Sequence, residues 1–231
     1  MDRVASSAIA SIAAELARHL KWAQEKGETE VPMASASGFA FPRQGKEPTL
    51  DQVREALGEC RRCGLCEGRR NIVFGNGDEG AELVFVGEGP GGEEDQQGLP
   101  FVGAAGQLLD KMIEAMGYRR SEVYVCNVVK CRPPGNRNPL PEEVAACEPF
   151  LVGQIRAIRP KAIVALGKFA AQTLLRTDDP ITRLRGSWHE YEGIPLMPTF
   201  HPAYLLRSPA EKRKAWEDLQ LVMARLGKKR A

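Results

Sequence analysis

The 231-residue sequence predicts an α/β fold, a three-layer sandwich with a central, mostly parallel four-stranded sheet flanked by helices. Three observations carry this expectation. Short apolar runs alternate with stretches of helical periodicity from about residue 80 onward. The runs are rich in Val, Ile and Leu with no polar alternation, as in strands buried on both faces. Each run stops at a Gly, Asn or His, the residue types that gather where a parallel sheet meets its ligand.

The elements follow in order. Residues 3–25 read as an amphipathic helix whose apolar members include Ile9, Ile12, Leu16, Leu20 and Trp22. Residues 26–48 carry Pro, Gly and Ser with little periodicity and read as a linker. Thr49, with Gln52 three residues later, forms a capping box that opens a helix through Leu57. The chain therefore divides into an N-terminal helix and linker, 1–48, and a domain, 49–231. Within the domain, Glu82–Val86 is a strand, Gly106–Met116 a helix, Glu122–Val129 a strand and Glu142–Ile158 a helix. Lys161–Leu166 and Pro195–Phe200 are the remaining strands, with helices over Lys168–Leu175 and Pro209–Leu226.

Composition narrows the function classes. Hydrophobic content of 43% and charged content of 27% belong to an ordinary globular domain. A net charge of +2 gives no global field that would announce a polyanion. Arg61, Arg62, Arg69 and Arg70 cluster locally, as do Lys228, Lys229 and Arg230, which suits phosphate contacts and equally suits a solvated surface. No run reaches the roughly 18 apolar residues of a membrane span, and Val4–Ala14 lacks the flanks of an export signal. A cytoplasmic, monomeric protein with no membrane partner is expected. There, six cysteines are kept reduced or are used on metal.

Ligands of such sheets bind beyond the carboxyl ends of the strands. The first strand runs into Gly87-Glu88-Gly89-Pro90-Gly91, the second delivers Asn127, the third meets Gly167, and the fourth ends in Phe200-His201-Pro202. Topology thus aims a carboxylate, a carboxamide and an imidazole at one rim. His19 and His189 have no such setting. Cys60, Cys63 and Cys66 are spaced C-x2-C-x2-C in a Gly- and Arg-rich loop, and Cys131 and Cys147 follow. Cys126 sits inside an apolar strand and reads as a small core residue. Thiolates in this pattern suit zinc or an iron–sulfur cluster, and spacing alone leaves both open.

Three motifs in order resemble the family 4 (iron–sulfur) uracil-DNA glycosylases. They are Gly87–Asp95 with Gly98–Gly103, then Asn127–Pro134, and finally His201–Arg207. The likeness spans about residues 57–226 and leaves 1–48 outside. It implies a [4Fe–4S] cluster on Cys60, Cys63, Cys131 and Cys147, with Cys66 where the family needs no cysteine. It implies a DNA repair enzyme that flips uracil from single- or double-stranded DNA and hydrolyses its N-glycosidic bond. Gly87 and Gly89 then border the substrate, Phe101 stacks on the uracil, and Asn127 reads its edge. His201 stabilises the leaving base and Glu88 handles water or the sugar cation. Glu94 or Asp95 is the second choice for the water, or crowds the uracil C5 position. Leu205, with Tyr204 and Leu206 beside it in a loop, fills the vacated stack, or else Leu205 and Leu206 are core residues at the start of the last helix; Arg207 holds a phosphate.

Competing readings differ at named residues. A relative that traps uracil-DNA covalently carries a histidine in the loop matching 132–146, which has none here. A non-catalytic zinc or iron–sulfur DNA-binding module, or an electron carrier, leaves Glu88, Asn127 and His201 unexplained.

Overall fold

The computed structural model describes residue 41 and residues 47–229. The predicted N-terminal helix and most of the predicted linker lie outside the described residues. A six-stranded sheet forms the centre, in the order β1-β3-β2-β4-β6-β5. Its strands are β1 (Asn76–Gly77), β2 (Leu83–Gly87), β3 (Tyr124–Asn127), β4 (Ala162–Leu166), β5 (His189–Tyr191) and β6 (Ile194–Thr199). The inner four, β3-β2-β4-β6, are parallel, as expected. The expectation of only four strands needs correcting: β1 and β5 pair antiparallel at the two edges. Both are too short, and too poor in apolar residues, to stand out as strands.

Helices cover both faces. They are α1 (Leu50–Leu57), α2 (Leu65–Gly68), α3 (Gly92–Gln97), α4 (Ala104–Ala115), α5 (Pro141–Ile158), α6 (Gly167–Leu175), α7 (Ile181–Leu184), α8 (Pro202–Arg207) and α9 (Lys212–Leu226). Strand pleating sorts the core. Val84, Val86, Ile163 and Ala165 point to one face, against Val53 of α1, Phe150, Leu151 and Ile155 of α5, and Ala170 of α6. Leu83, Phe85, Val125 and Val164 point to the other, against Leu109 and Ile113 of α4 and Leu219 and Val222 of α9. The capping box of α1 forms: Gln52 N–H donates to Thr49 Oγ1 at 3.2 Å, and Thr49 N–H donates to Gln52 Oε1 at 2.9 Å.

The end of the predicted linker touches the domain. Phe41 packs against the core, and a Cβ on Gly153 would lie 2.6 Å from its ring. Arg156 of α5 donates to the Phe41 carbonyl and pairs with Glu47 at 2.7 Å.

Candidate active site

The carboxyl ends of the parallel strands bring the predicted rim residues together. Gly87 and Asn127 are register partners across β2 and β3. The chain laces this corner as it leaves the sheet: Val128 N–H donates to Gly87 O at 2.9 Å, and Val129 N–H donates to Glu88 O at 3.1 Å. A Cβ on Gly87 would lie 2.4 Å from Asn127 Oδ1 and 2.6 Å from Phe101 Cζ. Only a residue without a side chain lets the carboxamide and the ring meet over the strand end. Asn127 is 1% exposed, yet its Oδ1 has no hydrogen-bond partner among the described residues. A buried acceptor of this kind is costly unless a ligand satisfies it.

Phe101 is buried and has a left-handed backbone, φ 55°. Bulky residues rarely adopt this conformation, and where they do the surroundings enforce it. Arg120 donates to the preceding carbonyl, Pro100 O, at 2.9 Å, and is itself held by Asp110. On the far side the Phe101 ring meets His201, with centroids 5.6 Å apart and planes 30° apart.

His201 follows β6 and caps α8. Ala203 N–H donates to its Nδ1 at 3.1 Å, so the neutral ring carries its proton on Nε2. Burial first, and the nearby Arg207 second, push its pKa down to about 4 against the opposing charge of Glu94. The ring is therefore neutral near pH 7 and offers one Nε2–H. Its approach depends on Gly167, φ +92°, where a Cβ would lie 2.8 Å from the His201 Cβ. The end of β6 is pinned from behind. Thr199 Oγ1 donates to buried Asp218 at 2.6 Å, and Arg185 grips the same carboxylate at 2.7 Å.

The three acidic candidates separate clearly. Glu88 is half-buried with no side-chain partner among the described residues, and burial raises its pKa above the ordinary carboxylate value. Glu94 is fully engaged: Oε1 accepts from the Val102 and Gly103 amides at 3.0 and 3.1 Å, and Oε2 from Gly91 N–H at 3.1 Å. Asp95 is 2% exposed and turns away, accepting from the Arg70 and Asn71 amides. Both carboxylates hold the Gly-rich loop together through these amides, and Glu94 stands near enough to His201 for its charge to act on that ring. Gly89 lies against Val129, where a Cβ would stand 2.8 Å from a methyl.

The loop carrying Leu205 is in fact the helix α8, hidden in the sequence by its six-residue length. Helical turning buries Leu205, 1% exposed, against Phe200 and Ala215. Its reading as the residue that fills the stack is corrected accordingly. The outward apolar side chains are Tyr204, 37% exposed, and Leu206, 44% exposed, with exposed Arg207 following.

On the opposite side of β3, Cys60, Cys63, Cys66, Cys131 and Cys147 line one cavity together with Arg69 and Lys130. Arg69 donates to Cys131 Sγ at 3.3 Å and to Cys60 O at 2.6 Å, and Lys130 N–H donates to Cys147 Sγ at 3.3 Å. Arg62 donates to the carbonyls of Ala56 and Leu57. Two of the clustered arginines thus serve internal contacts. The structure also brings Cys66 to the cavity, although the sequence reading had left it out. Among the described residues, no three His, Cys, Asp or Glu side chains converge on a single ion.

At the strand ends the arrangement gathers an aromatic ring, a buried carboxamide, a neutral imidazole and a carboxylate with no side-chain partner among the described residues. The profile of the uracil DNA glycosylase superfamily matches residues 74–220. The chain belongs to that superfamily, in its type-4 branch, on the identities that follow. It is 44% identical over 189 residues to the type-4 uracil-DNA glycosylase of Archaeoglobus fulgidus, covering 78% of this chain and 95% of that protein. It is 46% identical over 179 residues to the type-4 enzyme of Thermotoga maritima, covering 76% and 93%. The type-5 uracil-DNA glycosylase of Pyrobaculum aerophilum is more distant, at 31% over 56% of this chain and 64% of that protein.

Proposed function

We infer that the protein is a uracil-DNA glycosylase that removes uracil from DNA by hydrolysing the N-glycosidic bond and leaves an abasic site. The observation that carries this reading is the buried, unpartnered Asn127 Oδ1 beside the Phe101 ring. An acceptor there takes the uracil N3–H, while the amide N–H2 of the same side chain donates to O4. Cytosine presents an acceptor at N3 and a donor at the 4-position, so both contacts fail. Unpaired buried groups then discriminate by orders of magnitude.

The base must first leave the helix stack, at a cost of about a few kcal/mol. Tyr204 and Leu206 are placed to fill the gap, and Arg207 to hold a flanking phosphate. As the bond between C1′ and the uracil N1 breaks, its electron pair moves into the ring and charge develops on O2. His201 Nε2–H donates to that oxygen. Being neutral, it stabilises the anion without delivering a proton early. Glu88 faces the electron-poor sugar, orients the water that attacks C1′ and accepts its proton. With no cation paired to it among the described residues, the carboxylate is free for this work.

The cysteine cavity fits a [4Fe–4S] cluster held by Cys60, Cys63, Cys131 and Cys147. Thiolates around a four-iron cluster stand farther apart than those on one zinc, where Zn–S bonds are about 2.3 Å. N–H···S contacts from Arg69 and Lys130 are the usual support for such sulfurs. When bound, the cluster serves as a structural clamp on the loops around β3.

Excision assays on single-stranded uracil DNA, beside each mismatched duplex, test the activity. Abasic sites should form on the single strand and on the U:G pair. Asn127→Asp should lose at least about 100-fold in rate, and full uracil excision by that variant is incompatible with the reading.

A further inference from the structure

We infer that Lys130 is a positioning residue that ties the cysteine-lined cavity to the base-reading Asn127. The inference rests on the cluster assignment just made. Lys130 is 0% exposed, which is rare for lysine. Its ammonium donates to Asn127 O at 2.7 Å and to Gln154 Oε1 at 2.6 Å. Gln154 is equally buried and is fixed in turn, donating to Phe74 O at 2.8 Å and to Tyr124 Oη at 3.2 Å. No carboxylate pairs with Lys130 among the described residues, so both of its acceptors are neutral.

A buried cation with only neutral acceptors is poorly compensated. What it does face is the cavity, which Lys130 itself lines. Its own backbone N–H points at Cys147 Sγ. Thiolates bound to a cluster are the anionic partner that the rest of the interior lacks. One residue therefore faces the cluster sulfurs with its amide and its charge, and holds the Asn127 carbonyl with its side chain. The carbonyl belongs to the same residue whose carboxamide reads the base. Loss of the cluster would free the Lys130 end of this tie and loosen the reader, with no direct contact between cluster and substrate.

The test compares Lys130→Met, Lys130→Arg and Gln154→Glu with the wild type. Iron content, the cluster midpoint potential and the single-turnover rate on uracil DNA are read for each. With iron retained, Lys130→Met should move the midpoint to more negative values, because reduction loses a nearby positive charge. Its rate should fall by about 10-fold to 100-fold, the usual loss for a residue behind a metal ligand. Lys130→Arg should restore both toward wild type. Gln154→Glu keeps an acceptor on the ammonium and adds a negative charge, so it too should shift the midpoint negatively. This variant decides the matter if Lys130→Met does not fold. A slower Lys130→Met with an unchanged midpoint would make the residue merely structural and overturn the inference, as would an unchanged midpoint in iron-loaded Gln154→Glu. Wild-type protein purified without iron would instead overturn the cluster assignment, and the inference with it.

Discussion

Replacing His201 separates the helix cap seen in the structure from the chemistry proposed for the same ring. Nδ1 accepts from Ala203 N–H and caps α8, while Nε2–H is the donor proposed for the leaving base. His201→Ala removes both. Loss of one donor to a developing oxyanion costs about 10²–10³-fold in rate. Loss of an N-cap costs about 1 kcal/mol, which lowers Tm by roughly 2–4 °C in a domain of this size. His201→Asn keeps a side-chain oxygen near Ala203 but is too short to reach the leaving base. It should recover most of the Tm and little of the rate. Thermal unfolding, with single-turnover excision under saturating enzyme, measures the two quantities independently. Affinity for uracil DNA should change little, because the donor matters least before the bond stretches. If both variants excise uracil within a few-fold of wild type while His201→Ala melts lower, His201 is a cap and the proposed chemistry is wrong.

Three further outcomes are expected. The excision rate should fall as pH drops through the raised pKa of Glu88, because the carboxylate must be ionised to take a proton; Glu88→Gln should abolish that acid limb along with most activity. His201, held down at about 4, should give no limb near its ordinary value of about 6.5, and a limb there that vanishes in His201→Asn would show the ring to be cationic at neutrality. Leu205→Ala should destabilise by about 2–5 kcal/mol as a core truncation, whereas Leu206→Ala should leave Tm near wild type and slow excision from duplex more than from single strands. Deleting residues 1–48 removes the contacts of Phe41 and Glu47 with the domain and should cost about 1–3 kcal/mol, measured by denaturant unfolding.

The inner strands were legible because burial on both faces leaves continuous apolar runs such as Leu83–Val86 and Ala162–Leu166. Asn127 and His201 were legible because topology alone delivers strand ends to one rim. What escaped the sequence depended on packing across distant segments. Glu94 and Asp95 look like exposed acids until the Gly-rich loop folds back and aims the amides of residues 70, 71, 91, 102 and 103 at them. Asp218 does not stand out in the sequence, since nothing in its helix signals that it anchors Thr199 and Arg185 inside. Lys130 gives no periodic signal at all, since only the partners waiting at Asn127 and Gln154 explain its burial. Leu205 and Leu206 are adjacent and chemically identical, and only the turn of α8 decides which faces out.

The two short edge strands have a consequence for how the molecule meets its own copies. A strand with unpaired amides and carbonyls along one side is a template on which another chain can continue the sheet, and the hazard grows with its length and apolar character. Here short antiparallel strands cover part of each outer parallel strand: Asn76 and Gly77 cover Val125 and Tyr124 of β3, and His189, Glu190 and Tyr191 cover Leu196, Pro195 and Ile194 of β6. Two or three residues, with a charged side chain among the latter, give an incoming strand too few hydrogen bonds to hold it. Among the described residues, the two short edge strands thus limit how far another chain could extend the sheet.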